Sequence, residues 1–190
     1  MHALRYVCSF KTSSTMPCDK LPVALNSLLN NDIVVTSACD VPDDFHGRFS
    51  VKEKTYVYKI LNTPLSNPFT ANYVWHYKYP LNTDKMREAA EYIKGYHDFS
   101  CFMASGAQVK TTDRTVKKLE ISQNEGIIEI EITADGFLYN MVRIITGTLV
   151  YVGGGKLTPD DVKNIVESSD RRLAGITAPP QGLYLKDVVY

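Results

Sequence analysis

One stretch of the sequence, from about Tyr139 to Val152, is apolar on almost every side when it is drawn as a helix. A helix without a polar face has to be covered on all sides, so it belongs in the interior of a domain. The three glycines from Gly153 to Gly155 mark its end. A chain of 190 residues can supply that cover, because at this length roughly 70% of the unfolded surface is buried on folding.

Other segments alternate between apolar and polar residues with a period of two, which is typical of half-buried strands. The clearest runs from Ile128 to Ile132, where isoleucines face one way and glutamates the other. A strand over residues 116–122 precedes it, and Gln123 to Gly126 is predicted to be the hairpin loop between them. The same alternation predicts strands at residues 4–10, 33–39, 55–61 and 183–190.

Two further segments carry the signals that begin and end helices. Thr83 is predicted to cap a helix that stops at Gly95. Thr158 is followed by a proline and two aspartates, which favours a helix starting there. Strands and helices that mix without a regular βαβ alternation predict an α+β fold with a largely antiparallel sheet flanked by helices.

The chain as a whole is neutral, but its basic residues are concentrated in two segments. The net charge is zero and the pI about 6.9, which argues mildly against a general nucleic-acid binder. Residues 48–59 and residues 110–118, however, each contain four cations and a single acid. Charge gathered in this way could draw a polyanion to one face, or it could be ordinary solvated charge, and the pattern leaves both readings open.

The sequence gives little support to metal, disulfide or membrane classes. The four cysteines lie far apart and the four histidines lack metal-ligand spacing, so we expect reduced thiols and no metal site. The glycines after Val152 do not continue into a phosphate-binding loop. No apolar run approaches about 18 residues and the first residues do not resemble a signal peptide, so we expect a cytoplasmic protein without a membrane span.

Two side chains are candidates for chemistry. Arg143 is the one charge in the apolar helix, and because an arginine keeps its proton, its burial calls for a carboxylate or phosphate partner. Alternatively it reaches the surface or pairs with a scaffold acid such as Asp135. Tyr56 lies in the basic stretch 48–59. A strand tyrosine usually packs in the core, but an aromatic ring among cations can also stack on an unpaired base.

Six short motifs follow one another along the chain. They span Pro42 to Ser50, Lys54 to Tyr58, His97 to Phe102, Thr112 to Thr115, Gly136 to Arg143 and Gly182 to Leu185. Together they resemble the tRNA pseudouridine synthase A family across nearly the whole chain. The resemblance implies a pseudouridine synthase fold and a cofactor-free, cytoplasmic homodimer that isomerises uridine to pseudouridine at positions 38–40 of the tRNA anticodon stem-loop. In such an enzyme an aspartate carboxylate attacks the nucleoside after the target base has left the stack.

The resemblance also implies roles for matching residues. Tyr56 corresponds to the tyrosine that lies against the target base and helps remove a proton. Arg143 corresponds to the arginine that pairs with the catalytic aspartate, and Leu183 to the apolar residue that lines the uracil pocket. Asn140 stands where many relatives have histidine. The resemblance assigns tRNA binding to His2, His46, Arg48, Lys54 and Arg114.

The nucleophilic aspartate has no counterpart in these residues. In the family it lies in the motif G-R-T-D-x-G-V-H-A, of which the chain contains only His2 and Ala3. We therefore expect an N-terminally truncated synthase, in which residues 1–40 are a remnant of the N-terminal half and residues 41–190 are the C-terminal subdomain. Two hypotheses follow: an enzyme that is inactive without the missing segment, or a tRNA-binding module without catalysis.

Overall fold

The computed structural model describes residues 1–106 and 109–190. They form two compact units, one made of Met1–Tyr6 with Val51–Tyr190 and one made of Val7–Ser50. The predicted division between residues 40 and 41 stays a prediction.

The larger unit contains all of the strands and three of the four α-helices in the described ranges. The strands are β1 (His2–Ala3), β2 (Glu53–Leu61), β3 (Trp75–His76), β4 (Gly95–Asp98), β5 (Asp113–Asn124), β6 (Ile127–Ala134) and β7 (Leu183–Val189). The helices along the chain are α1 (Leu21–Asn26) in the smaller unit, and α2 (Thr83–Glu91), α3 (Met141–Gly153) and α4 (Pro159–Ser168) in the larger one. Short 3₁₀ turns occupy Ser100–Phe102 and Pro180–Gly182.

These strands form one mixed and mostly antiparallel sheet. Its order is β1-β7-β2-β6-β5-β4, with β3 pairing beside the end of β2. The pairs β2–β6, β5–β6, β4–β5 and β2–β7 are antiparallel, whereas β1–β7 and β2–β3 are parallel. The predicted α+β fold with a largely antiparallel sheet is confirmed.

The hairpin between β5 and β6 is tighter than the sequence predicts. The strands continue to Asn124 and resume at Ile127, so the loop is Glu125 and Gly126 rather than four residues. Both loop residues have positive φ, 49° and 81°, as a two-residue hairpin turn requires. The alternation in β6 holds along its length, with buried and half-buried residues in strict succession.

The helix predicted from its apolar surface is indeed central to the core. Of the residues in α3, eleven are buried, and they pack over the same face of the sheet as Tyr58, Ile130 and Ile132. Helices α2 and α4 contribute Met86 and Val162 to the same cluster. The core is therefore a sheet with three helices on one face.

Helix α3 is within two residues of its predicted bounds, but the predicted stop of α2 at Gly95 is wrong: α2 ends at Glu91, and Gly95, with φ 106°, begins β4. Thr158 begins α4 with a full capping box, in which it exchanges hydrogen bonds with Asp161. The cap of α2 is Asn82 rather than Thr83, because the Asn82 side chain accepts a hydrogen bond from the Lys85 amide. No helix in the described ranges is long and apolar enough to cross a membrane.

The smaller unit lacks the strands that the sequence predicts. Residues 33–39 form no ladder, and the predicted strand at residues 4–10 is wrong, since β1 covers only His2–Ala3. Alternation alone does not make a strand, because each backbone N–H and C=O also needs a partner strand. In this unit the backbone of Val35 is satisfied by the side chain of Asn26 instead, through bonds of 2.8 and 2.9 Å.

Candidate active site

Tyr56 lies in β2, on the face of the sheet that the helices cover. It stands opposite Ile132 in β6 and Leu185 in β7, and its ring meets Phe137 edge-on at 4.9 Å between centroids. The pairing with β7 shifts register between Thr55 and Tyr56, which is a β-bulge. Bulges are frequent beside functional sites because they redirect a side chain. Burial raises the pKa of Tyr56, so its hydroxyl keeps the proton at neutral pH.

Arg143 lies in the first turn of α3 and is half-buried, between the buried and the surface-reaching alternatives that the sequence left open. Its Nε donates to the carbonyl of Ala178 at 2.6 Å, and its Nη1 donates to Oδ1 of Asn140 at 2.9 Å. Among the described residues, no carboxylate lies within ion-pairing distance of Arg143. Asp135 does not pair with it, and accepts instead from the Thr115 amide at 2.9 Å. The guanidinium therefore retains unused donors.

Leu183 begins β7 and reaches the same face through the segment from Ala178. It is buried and stands opposite Tyr58 in the β2–β7 ladder. The Tyr58 hydroxyl donates to the carbonyl of Pro179 at 2.6 Å, and the Ala178 amide donates to the Arg143 carbonyl at 3.0 Å. One short segment thus connects the environments of Leu183 and Arg143, while Leu183 and Tyr56 share the helix-covered face of adjacent strands.

Sequence reasoning missed the neighbours that hold these side chains. Phe137, Tyr58 and the carbonyl of Ala178 were not singled out for the site, although alternation in β2 placed Tyr58 on the face of Tyr56. The Ala178 carbonyl has no signal in the sequence at all. Its position depends on how closely residues 175–178 approach α3, which only the packed structure shows.

Three of the candidate RNA-binding residues lie in the larger unit. Lys54 neighbours Tyr56 in β2. Arg114 lies against Gly136 and donates to the carbonyls of Thr111 and Asp113. His2 packs between Tyr73 and Tyr184, with its Nε2 at 3.0 and 3.1 Å from the carbonyls of Asn72 and Gln181. That nitrogen is therefore a donor already engaged by the protein.

The other two candidates, His46 and Arg48, lie together in the smaller unit. The His46 ring packs on Phe49 at 4.4 Å, and the Arg48 guanidinium lies 5.6 Å from the same ring. The Nδ1 of His46 accepts a hydrogen bond from the Arg48 amide at 3.1 Å. Phe49 is exposed, so a cation and two rings face the outside of this unit.

Two clefts of the larger unit lie away from these residues. One of about 420 Å³ is bordered by the ends of α2, β4 and α4, and another of about 340 Å³ lies between α2 and the sheet. Neither is lined by Tyr56, Arg143 or Leu183. The first is bordered by three acids and two lysines, and the second by four acids, one lysine and one arginine. Within the described ranges, no group of three or more His, Cys, Asp or Glu residues is placed to hold a metal ion.

Comparison with known proteins points to the same family as the six motifs. Residues 89–190 match a family model described as tRNA pseudouridine synthase. A "tRNA pseudouridine synthase A" of Thermoanaerobacter sp. (strain X514) is 56% identical over all 190 residues, which cover 78% of that protein. Clostridial proteins are also similar: "tRNA pseudouridine synthase A 2" of Clostridium tetani, 48% identical, is covered to 77%, and "tRNA pseudouridine synthase A" of Clostridium acetobutylicum, also 48% identical, to 78%.

The family is the one that the six motifs resemble. The family model and the similarity over all 190 residues define the class as the pseudouridine synthases. Within that class, the chain belongs to the tRNA pseudouridine synthase A family.

Proposed function

We propose that this protein serves in the isomerisation of uridine to pseudouridine in tRNA, and that the positions modified lie in the anticodon stem-loop. The observation that carries the proposal is that Tyr56 and Leu183 lie on the helix-covered face of adjacent strands and that Arg143 lies in the first turn of α3, the helix that covers this face. The chain is 56% identical over its whole length to a tRNA pseudouridine synthase A. The reaction breaks the C1′–N1 bond, forms a C1′–C5 bond and moves one proton from C5 to solvent while N1 gains another. No redox partner is required.

Each side chain has a role that suits its surroundings. Leu183 supplies an apolar wall for the uracil ring, in keeping with its burial. Tyr56 presents a protonated hydroxyl against the base, where it guides the proton that leaves C5. Arg143 offers its unused N–H groups to a carboxylate, which a guanidinium binds in two parallel hydrogen bonds.

The carboxylate itself has to come from the family motif G-R-T-D-x-G-V-H-A, and the 190 residues contain only its last two positions. Covalent catalysis depends on its nucleophile. We therefore propose that the 190-residue chain assayed alone binds RNA without turnover, and that turnover requires the motif ahead of His2.

A direct assay tests the proposal with three proteins and one unmodified anticodon-arm RNA. The proteins are the 190-residue chain, a fusion that supplies the whole motif through the corresponding segment of the Thermoanaerobacter relative, and the same fusion with the motif's aspartate changed to asparagine. We expect pseudouridine only with the intact fusion. Product from the 190-residue chain alone would refute the assignment of the nucleophile, and an inactive intact fusion would count against the proposed function.

Matched substitutions in that fusion test the side chains. Tyr56→Phe keeps the packing on Phe137 and removes the hydroxyl, so we expect the rate to fall about 10²- to 10⁴-fold with little change in RNA affinity. Tyr96→Phe is the control, because Tyr96 is an exposed strand residue outside the site. Equal rates for the two variants would remove Tyr56 from the mechanism.

RNA contacts form a separate part of the proposal. We assign phosphate and base contacts to Arg48 and His46 beside Phe49, and further contacts to Lys54, Arg114 and His2. Arg48→Ala should weaken anticodon-arm binding and lower its salt dependence, because each phosphate contact releases a counterion. An unchanged salt slope would argue against the assignment of Arg48. The proposal also includes a homodimer acting in the cytoplasm, which sedimentation of the fusion with RNA and cell fractionation would test.

A further inference from the structure

Asn140 has an unusual conformation at the start of α3. Its backbone is left-handed, with φ 60° and ψ 10°, which asparagine tolerates better than other residues with a Cβ. An asparagine at this position normally turns its side chain to a free N–H in the first helical turn, and such a cap stabilises the helix. Here the side chain makes no such bond. Its Oδ1 instead accepts a hydrogen bond from Nη1 of Arg143 at 2.9 Å.

The guanidinium of Arg143 is held from a second side by a segment that packs closely against α3. Nε donates to the Ala178 carbonyl at 2.6 Å, and the Ala178 amide returns a bond to the Arg143 carbonyl. This segment lies so close to α3 that a Cβ on Gly147 would be 1.8 Å from the Ile176 carbonyl oxygen, and one on Gly175 would be 2.5 Å from the Thr148 amide. The Nε edge therefore binds a backbone carbonyl in a segment that is packed closely against α3.

These two contacts use two of the five N–H groups of the guanidinium and leave the others at its Nη end. Bonds at Nε and at Nη1 together fix the plane of the group. A fixed plane matters because a carboxylate is bound by parallel donors only when both lie in one orientation.

We propose that Asn140 is a positioning residue for Arg143: it holds the guanidinium plane so that the free Nη donors face an incoming carboxylate. The inference rests on the proposed function for the identity of that carboxylate. The orientation of Arg143 by Asn140 stands on the geometry of the 190-residue chain itself.

Two substitutions separate the side chain from the backbone. Asn140→Gly accepts the left-handed conformation without strain and removes only the contact with Arg143. Asn140→Asp keeps the acceptor oxygen but places a carboxylate beside the Arg143 guanidinium. The guanidinium should stay ordered, while the new carboxylate competes with any other carboxylate for it. A residue that served only the backbone turn would be replaced by glycine without any effect on Arg143.

The first measurement follows the side-chain ¹⁵N–H signals of Arg143 in the 190-residue chain. In Asn140→Gly we expect Nη rotation and hydrogen exchange to speed up roughly tenfold to hundredfold, in line with the loss of a hydrogen bond to a charged group. Arg171 is an internal reference, because its Nη1 donates to the Gly175 carbonyl at 3.0 Å and should not change. Unchanged Arg143 signals in the glycine variant would overturn the inference.

The second measurement uses acetate as the carboxylate probe, titrated while the Arg143 signals are observed. Affinity should fall about tenfold in Asn140→Gly and further in Asn140→Asp, although Arg143 stays ordered in the latter. Equal affinity in all three proteins, or no response of Arg143 to acetate in any, would contradict the positioning role.

The third measurement separates this inference from the proposed function. In the active fusion, Asn140→Gly should lower kcat about tenfold and leave KM within about twofold, because the aligned pair matters for the chemical step. If kcat is unchanged while the parent fusion is active, the positioning role fails and the proposed function stands. If the parent fusion is inactive, the proposed function fails, and the Arg143 signals and acetate titration still decide the orientation.

Discussion

Residues 7–50 and residues 51–190 are both rich in apolar side chains, yet only one of the two segments has an interior. Every buried residue in the described ranges lies between Val57 and Val188. All of residues 7–50 are described, and none of them is buried. Leu28 is 86% exposed, and Val23 and Phe49 are each 74% exposed.

The difference shows that apolar residues form a core only where secondary structure places them on a common face. In the larger unit, β2, β5 and β6 align alternate residues on one face, so that α3 can cover them in a single layer. The smaller unit has one six-residue helix, α1, with no buried residue and no ladder beside it. Hydrophobic stabilisation scales with the apolar area removed from water, so it belongs almost entirely to the larger unit.

Amide hydrogen exchange should show the largest contrast between the two units. We expect the central amides of β2, β6 and α3 to exchange at least about 10⁴-fold more slowly than unprotected amides, because they open only with the whole core. Amides of residues 7–50 should exchange within about tenfold of unprotected rates, because none of these residues is buried and their hydrogen bonds belong to turns and one short helix rather than to a ladder. Similar protection in both units would break the comparison.

Removing one apolar side chain from each unit should give the next largest effect. Ile145 is fully buried in α3, so Ile145→Ala should lower the free energy of unfolding by about 2–5 kcal/mol, from lost burial and the cavity left behind. Leu28→Ala, at an exposed position of the smaller unit, should change it by less than about 0.5 kcal/mol. Urea denaturation measures both, and a costly Leu28→Ala would place a hidden core in residues 7–50.

The same contrast explains how far the sequence predicts the fold. Patterns that depend on local chemistry succeed: the alternation of Ile128 to Ile132, the apolar surface of α3 and the cap at Thr158 all correspond to observed elements. The strand predicted from alternation at residues 33–39 is not formed. A strand also needs a neighbouring strand to bind its backbone, and whether one is present depends on the tertiary structure. The turn after Asn124 is shorter than predicted, since either length fits the residues available there.

For the candidate site, too, the sequence predicts some features and not others. The residue types at Tyr56 and Arg143 can be recognised from the sequence, because a lone cation in an apolar helix and a tyrosine among lysines are both informative. The partners of Arg143 cannot be, since one is a backbone carbonyl 35 residues away and the other depends on a left-handed turn at Asn140. Their roles in catalysis stay proposals until the substitutions are assayed.

A glycine-to-alanine substitution in each unit tests the same comparison. We expect a smaller change in the free energy of unfolding than for Ile145→Ala. Gly147→Ala brings a Cβ to 1.8 Å from the Ile176 carbonyl oxygen, and the backbone on both sides is packed, so we expect a loss of about 1–3 kcal/mol. Gly47→Ala brings a Cβ to 3.0 Å from the Val7 carbonyl oxygen in a unit without buried neighbours. There a slight shift should suffice, and the gain from a less flexible unfolded chain offsets the cost to within about 1 kcal/mol.

Both changes can be measured by thermal unfolding at matched pH and salt. The informative quantity is the difference between the two glycines, because each adds the same methyl group. A Gly147→Ala protein as stable as the parent would mean that residues 174–178 do not press on α3 as described, and the support for Arg143 would weaken with it.

The smallest expected effect concerns one ion-paired acid from each unit. Glu131 in β6 accepts hydrogen bonds from Lys186 at 2.5 Å and Lys118 at 3.0 Å. Burial alone would raise the pKa of Glu131, but the two ammonium groups outweigh it and the pKa is lowered from its ordinary 4.5. Because the folded pKa is the lower one, this stabilisation is present above pH 4.5 and is lost as the pH falls through the folded value.

Glu131→Gln should therefore reduce stability at neutral pH by less than about 1 kcal/mol, and the difference from the parent should vanish in acid. The matched change, Asp43→Asn, removes the 3.4 Å pair with Lys11 in the smaller unit, where both side chains are more than four-fifths exposed. It should have no measurable effect at any pH, because solvent screens the pair and nothing around it is ordered by burial. Unfolding curves at several pH values compare the two. Asp43→Asn could instead lower the free energy of unfolding with the same size and pH dependence as Glu131→Gln. In that case ion pairs in residues 7–50 would stabilise the fold as much as those of the sheet, and the contrast between a unit with a core and a unit without one would be wrong.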